Sequence, residues 1–136
     1  MFADDDARRK LERITHPRIA TATLVRSREL ESENEPLACY EATLLVEGGR
    51  ADQFRPLVVV AADEHTQLER AVRRGLPEME ARARMRAQLP MSAKIAAADY
   101  VITNDGDLAQ LDAETDRVLR SICLASGVAP SRYGLD

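Results

Sequence analysis

The sequence is poor in lysine and in aromatic residues, and it lacks the signatures of several large enzyme classes. Lys10 and Lys94 are the only lysines among 19 basic residues, and aromatic side chains make up 4% of the 136 residues. The net charge of -4 argues against a general nucleic-acid binder, which needs a basic surface to neutralise phosphates. No Gly-x-Ser-x-Gly, His-Glu-x-x-His or Gly-x-Gly-x-x-Gly sequence is present, so we expect no hydrolase elbow, zinc-protease helix or dinucleotide-binding loop.

The phosphate-cradling loop of nucleotide-binding proteins is also missing from these residues. That loop ends in Gly-Lys-Ser or Gly-Lys-Thr, and neither lysine of this sequence follows a glycine. These 136 residues therefore contain no P-loop.

Cysteine and long apolar runs are scarce too. Cys39 and Cys123 each lie in an apolar stretch without metal-ligand spacing, which predicts two buried thiols in a reducing compartment. No apolar run reaches the length of a membrane span. We therefore expect a soluble, cytoplasmic protein with neither membrane nor nucleic-acid partners and with no metal site of its own.

What the sequence does contain is an alternation of strand and helix patterns. Residues 56–62, PLVVVAA, predict a strand buried on both faces, as in a parallel sheet. We predict further strands at 37–40 and 100–103, and helices at about 64–74, 77–88, 92–98 and 107–125. This order predicts an α/β fold with a parallel sheet and flanking helices, in a single domain over residues 1–136.

The two ends of the chain are predicted differently. The acids from Asp4 to Asp6 can cap a short helix through Arg13. Thr15, His16 and Pro17 then end it, and a second helix follows to about Glu33. Residues 126–136 predict a frayed tail.

Six arginines between residues 68 and 88 face only three glutamates. Arg70 and Arg74 are four residues apart and so share a helix face, and Arg84 and Gln88 have the same spacing. A solvated pair of helices would explain this pattern. The alternative is a mobile, arginine-bearing lid over phosphates.

Two glutamates follow apolar runs where a parallel sheet would place a ligand. Glu41 follows residues 37–40 and Glu47 follows Leu-Leu-Val at 44–46. The Asn104-Asp105-Gly106 turn follows the predicted strand at 100–103 and faces the same edge. Alternatively, both glutamates lie on surface loops and the turn at 104–106 only reverses the chain. The sequence does not distinguish these alternatives from a ligand site.

These segments resemble the dephospho-coenzyme A kinase family. The resemblance runs in order from about residue 2 to residue 122 through ITHPRI, YEATLLVEGGRADQF, PLVVVAADEHTQLERAVRRG and MEARARMRAQLPMSAKIAAADYVITNDGDL. Its specific part is the series Arg84-x-x-x-Gln88, Lys94, Ala98-Asp99, Val101-Ile102 and Asn104-x-Gly106.

The resemblance implies part of a P-loop nucleoside-monophosphate-kinase-like fold with an arginine-rich lid at about 70–90. The family transfers the γ-phosphate of ATP, with Mg²⁺, to the 3′-hydroxyl of dephospho-coenzyme A, the last step of coenzyme A biosynthesis. It implies three groups of site residues: ATP-binding lid residues Arg74, Arg84 and Gln88; Asn104 and Gly106 near the adenine; and Glu41, Glu47 and His16 near the acceptor and metal. Arg73 remains an alternative to Arg74, because the spacing to the lid is one residue short.

The family's first strand, phosphate loop and catalytic aspartate have no counterpart in these residues, so no catalytic residue is assigned. We expect the 136 residues alone to be inactive as a kinase, because phosphoryl transfer depends on positioning and charge stabilisation. The sequence leaves open whether they belong to a longer kinase whose start lies upstream, to a truncated nucleotide- or coenzyme-binding module, or to a non-functional fragment. A homodimer would cover the sheet edges that the missing strands leave.

Overall fold

A computed structural model describes residues 5–135 of the chain. Five α-helices and two strands follow in the order α1 Asp5–Ser32, β1 Val58–Ala61, α2 Glu64–Arg73, α3 Glu78–Arg86, α4 Met91–Ala97, β2 Tyr100–Thr103 and α5 Leu108–Ala125. The chain forms two compact units, one up to Tyr40 and one from Glu41 onwards. The prediction of a single domain stays a prediction.

The first unit contains one helix where the sequence predicted two. Pro17 lies inside α1, although a proline has no N–H and so removes one helix hydrogen bond. The helix nevertheless continues through Pro17 to Ser32, and the Thr15 and Thr21 hydroxyls donate to the carbonyls of Leu11 and Pro17 at 3.0 Å. The predicted break at residues 15–17 is therefore wrong, and the predicted cap at Asp4 lies outside the described residues.

The helix ends at an asparagine. Asn34 has a φ of 57°, the left-handed conformation that asparagine tolerates better than most residues. The amide of Glu35 then donates to the carbonyl of Leu30 at 3.0 Å. This Asn34 turn, rather than the proline that follows, stops the helix.

Residues 37–40 do not form the predicted strand. They have no regular secondary structure, and Cys39 is exposed, so the predictions of a strand and of a buried thiol at this point are both wrong. An apolar run becomes a strand only when another strand accepts its backbone hydrogen bonds, and among residues 5–135 the strands are β1 and β2.

The second unit is built on those two parallel strands, as the sequence predicted. Val58 pairs with Tyr100 and Ala61 pairs with Thr103 in a continuous register. Val59, Ala61 and Ile102 are buried, but Val60 is exposed. The prediction that the first strand is buried on both faces is therefore wrong, because its side chains alternate between a buried and a more exposed face. Because the strands are parallel, both end at the same edge of the sheet.

One carboxylate fixes the start of β1. Asp99 Oδ2 accepts from the amide of Leu57 at 2.6 Å and from Arg55 Nη1 at 2.9 Å. The Leu57 amide, followed by the Arg55 guanidinium, holds the pKa of Asp99 below its usual range. Asp99 thus joins the residue before β2 to the residue before β1.

The C-terminal segment packs against the unit and is not frayed. Pro130–Tyr133 forms a 3-10 helix, Leu135 is buried, and Arg120 Nη1 donates to the carbonyl of Leu135 at 2.9 Å. Cys123 is fully buried, as predicted. The prediction of a frayed tail is wrong because one apolar side chain and one arginine hold a segment that looks featureless in sequence.

Among residues 5–135 there is no helix long and apolar enough to span a bilayer.

We predict that Asp99→Asn destabilises the protein in a pH-dependent way. The lowered pKa means that the carboxylate stabilises the fold above the unfolded-state pKa of about 4, and that this stabilisation is lost as the pH falls through the lower folded-state value. Urea unfolding of wild type and variant at several pH values should show a gap that is largest near neutrality and shrinks below about pH 4. Asp112→Asn, an exposed position on α5, is the matched control, and a pH-independent gap for Asp99→Asn would contradict the assignment.

Candidate functional site

A cleft of about 590 Å³ opens between α2, α3 and the carboxyl ends of the two strands. Parallel sheets bind ligands at this edge. Its polar lining consists of four arginines and three carboxamides: Arg70, Arg73, Arg74, Arg84, Gln67, Gln88 and Asn104. The wall therefore carries four positive charges in a protein whose net charge is -4.

Arg70 ties α2 to the turn that follows β2. Its Nη1 donates to the backbone carbonyl of Asn104 at 2.7 Å and to the Asn104 side-chain oxygen at 2.9 Å, while Nη2 donates to the carbonyl of Gly106 at 3.1 Å. A guanidinium presents its donors in a rigid fork, so three bonds fix both the arginine and the turn. All three acceptors are neutral oxygens, and the charge of Arg70 stays available to the cleft.

Hydrogen bonds also join the carboxyl ends of β1 and β2 directly. The amide of Asn104 donates to the carbonyl of Ala61, and the amide of Asp63 donates to Asp105 Oδ1, both at 2.7 Å. Asp63 in turn caps α2 by accepting from the amide of Thr66 at 2.7 Å, and this bond is the main cause of its lowered pKa. One side of the cleft is thus held by a network of short hydrogen bonds that backbone amides donate.

The arginines differ in how far their charge is neutralised. Arg84 pairs with Glu80 one helical turn earlier. Arg74 donates its Nε to the carbonyl of Arg70 at 3.1 Å, and neither Arg73 nor Arg74 forms an ion pair with any described carboxylate. Unpaired guanidinium groups on a concave wall attract an anion.

Gln88 lies at the end of α3 and connects the cleft to a second charged pair. Its Oε1 accepts from Lys94 Nζ at 2.9 Å, and the same ammonium lies 2.7 Å from Glu47 Oε1. Burial raises the pKa of Glu47, but Lys94 and hydrogen bonds from the backbone of Glu47 and Leu89 together outweigh it, and the pKa of this carboxyl lies below its ordinary value. Glu47 is therefore charged, and its charge is matched by Lys94.

The structure brings together most of the residues that the sequence singled out. Arg74, Arg84, Gln88 and Asn104 line one cleft, and Gly106 is bound to it through Arg70. Glu47 reaches the same region through Lys94.

The acidic residues are not placed as predicted. Glu41 is an exposed residue without regular secondary structure, and Glu47 lies in a run of turns over 43–49. Glu41 was expected after a strand at 37–40 and Glu47 after the apolar run at 44–46, and neither run forms a strand. His16 is exposed on α1, in the first unit.

Sequence reasoning missed the parts played by Arg70 and Lys94. Arg70 was noted only for sharing a helix face with Arg74, and Lys94 only as part of a motif. Lys94 is six residues after Gln88 and Arg70 is 34 residues before Asn104, and neither spacing indicates which oxygens accept from them.

Comparison with known proteins identifies the family. The family model for dephospho-CoA kinase matches residues 1–110. The chain belongs to the dephospho-CoA kinase family. A dephospho-CoA kinase of Syntrophotalea carbinolica is 45% identical over all of this chain and 62% of its own length, and one of Anaeromyxobacter dehalogenans is 42% identical over 90% and 58%.

Solved structures agree with this assignment. The dephospho-CoA kinase of Campylobacter jejuni superposes with a TM-score of 0.61 at 28% identity, over 89% of this chain and 60% of that one. A Thermus thermophilus protein gives a TM-score of 0.65 at 30% identity, over 89% and 62%. The prediction of an α/β kinase fold is thus confirmed. The chain spans about three fifths of the length of the curated relatives named above.

We predict that Arg70→Ala destabilises the second unit by about 1–2 kcal/mol, because three accepting oxygens lose a charged donor. Urea unfolding followed by circular dichroism measures the change. Arg73→Ala, on the same helix and without a described ion pair, is the matched control and should cost less than about 0.5 kcal/mol. Equal losses in the two variants would show that the contacts of Arg70 contribute nothing specific.

Proposed function

We propose that this chain forms the nucleotide-lid part of a dephospho-CoA kinase and that its cleft holds the phosphates of ATP. The proposal rests above all on the guanidinium groups of Arg73 and Arg74, which no described carboxylate neutralises. The family of the chain supports the choice of ligand. When bound, ATP supplies the γ-phosphoryl group, and the residues of the cleft orient and stabilise its negative charge.

Arg74 is the better candidate of the two neighbouring arginines for a phosphate contact. Its Nε bond to the carbonyl of Arg70 limits the rotation of the guanidinium, so less conformational entropy is lost when its terminal nitrogens bind an anion. Arg73 has no comparable bond among the described residues. Arg84 contributes a second charge from α3, after partial neutralisation by Glu80.

The remaining predicted roles belong to the same proposal. Asn104 and Gly106 lie on the strand-end side of the cleft, where an adenine could stack or accept hydrogen bonds. We keep Glu41, Glu47 and His16 as the predicted acceptor-side residues, and Mg²⁺ as an ion that would arrive with the ATP phosphates. The Lys94 ion pair of Glu47 argues against that carboxylate binding Mg²⁺ while the pair is intact.

We also propose that these 136 residues do not phosphorylate dephospho-CoA by themselves. They contain no Gly-Lys-Ser or Gly-Lys-Thr loop, and an arginine lid without a phosphate cradle supplies only part of the charge stabilisation that the reaction needs. The lid would then act together with a cradle that these residues do not contain.

A second candidate is a non-catalytic module that assembles with a copy of itself. The side chain of Val60, in the middle of β1, is 54% exposed, and Leu44 is 58% exposed. An apolar side chain exposed on a strand favours a contact that covers it. Sedimentation velocity separates the candidates, because a homodimer that Val60→Lys converts to a monomer would support assembly.

We predict that ATP binds the chain and that Arg74→Ala weakens the binding about tenfold, the effect of losing one charge-assisted hydrogen bond. Isothermal titration calorimetry at low salt measures the dissociation constant. Arg28→Ala removes the same charge from α1, at a residue that does not line the cleft, and should change the affinity less than twofold. Equal effects of the two substitutions would contradict specific binding in the cleft.

A kinase assay with ATP, Mg²⁺ and dephospho-CoA tests the second part of the proposal. We expect no phosphorylated product above background from the 136 residues alone. Product that forms with the wild-type chain and disappears with Arg84→Ala would contradict this expectation.

A further inference from the structure

The contact with Lys94 determines which end of the Gln88 carboxamide is left for a ligand in the cleft. A carboxamide presents an accepting oxygen at one end and two donating N–H groups at the other, whereas a lysine ammonium can only donate. The group 2.9 Å from Lys94 Nζ must therefore be the oxygen Oε1 of Gln88. Gln88 lines the cleft and Lys94 does not, so the N–H end is the polar end left for a ligand.

Lys94 is itself held in place. Its side chain is only 12% exposed, and that of Glu47 is 17% exposed. Their 2.7 Å contact is an ion pair, and both carboxylate oxygens of Glu47 are buried. Because a buried charge is costly without a counter-charge, Glu47 keeps the ammonium where it can also reach Gln88.

The opposite wall of the cleft uses the same arrangement. Arg70 Nη1 donates to Asn104 Oδ1 at 2.9 Å, and an arginine likewise has no acceptor. The N–H end of Asn104 is again the end left over. Lys94 on α4 and Arg70 on α2 thus each bind the oxygen of a carboxamide in the cleft lining, and each leaves the N–H end of that carboxamide for a ligand.

We propose that Lys94 is a positioning residue that fixes Gln88 as a hydrogen-bond donor to the bound polyphosphate. Lys94 does not touch the ligand. It holds the carboxamide oxygen, which would repel phosphate oxygens, away from the cleft, and it keeps the negative charge of Glu47 paired outside the lining. This inference rests on the proposed function, because it assumes that the cleft binds a polyphosphate.

The first test is nuclear magnetic resonance of the Gln88 side-chain amide in the ¹⁵N-labelled chain. We expect an ordered Nε2H₂ group in the wild type and a marked shift of its signal when inorganic tripolyphosphate is added. In Lys94→Met the group should become mobile, and its signal should hardly shift. Lys94→Arg keeps a donor-only cation and should restore both behaviours, which a merely structural role for the side-chain volume of Lys94 would not explain.

The second test is the affinity for inorganic tripolyphosphate. We expect Lys94→Met to weaken binding about tenfold through the lost donor, and Gln88→Ala to do the same, with no further loss when the two are combined. The control is Lys10→Met, which removes the only other lysine, on α1, and should have less than a twofold effect. If Lys94→Met alone fails to fold, the double variant Glu47→Gln/Lys94→Met, which removes both charges of the pair, replaces it in the binding measurement.

The outcomes separate this inference from the function on which it rests. Binding that depends on Arg74 but not on Lys94 would overturn the inference and leave the proposed function intact. An absence of tripolyphosphate binding by the wild type would contradict both. Additive losses for Lys94→Met and Gln88→Ala would show that Lys94 acts independently of Gln88 and would also overturn the inference.

Discussion

The three hydrogen bonds from Arg70 to the turn after β2 are the constraint on which the cleft depends. They join a helix that carries the cleft arginines to the edge of the sheet at which both strands end. Without this connection, α2 would be attached there mainly through its cap at Asp63 and the Gln67 bond to the carbonyl of Ala62. The position of Arg74 follows from the same contact, because its Nε binds the carbonyl of Arg70.

The arginines of α2 and α3 differ in whether a nearby carboxylate pairs with them. Arg82 lies four residues after Glu78 and forms an ion pair with it, as Arg84 does with Glu80. Exposed pairs of this kind contribute about 0.3–0.5 kcal/mol, so their main effect is to neutralise the charges of Arg82 and Arg84. The charge of α2 is left unneutralised at Arg73 and Arg74. An acidic protein thereby presents two arginines without a described ion pair on the wall of the cleft.

Sequence reasoning was most successful where a local pattern suffices to determine the structure. The β-branched run at 58–60 forms a parallel strand as predicted, although its burial alternates and Val60 is exposed. Gly75, with a φ of 91°, lies just beyond the end of α2, where the sequence predicted the helix to stop. These outcomes depend on residues within a few positions of one another.

The errors concern features that depend on distant partners. Residues 37–40 are as apolar as a strand, but an apolar run does not specify which strand will pair with it. The C-terminal segment is held by Arg120, 15 residues before its acceptor at Leu135. In the site, helix spacing identified the faces that carry arginines but could not say that Arg70 binds Asn104, 34 residues away.

We propose above all that a nucleotide binds in the cleft between α2, α3 and the strand ends. The most direct measurement is a map of backbone amide shifts in the ¹⁵N-labelled chain as ATP is added. The account predicts shifts concentrated in residues 70–88 and 104–106, with α1 unaffected. Shifts confined to α1, or no saturable shifts at all, would contradict it.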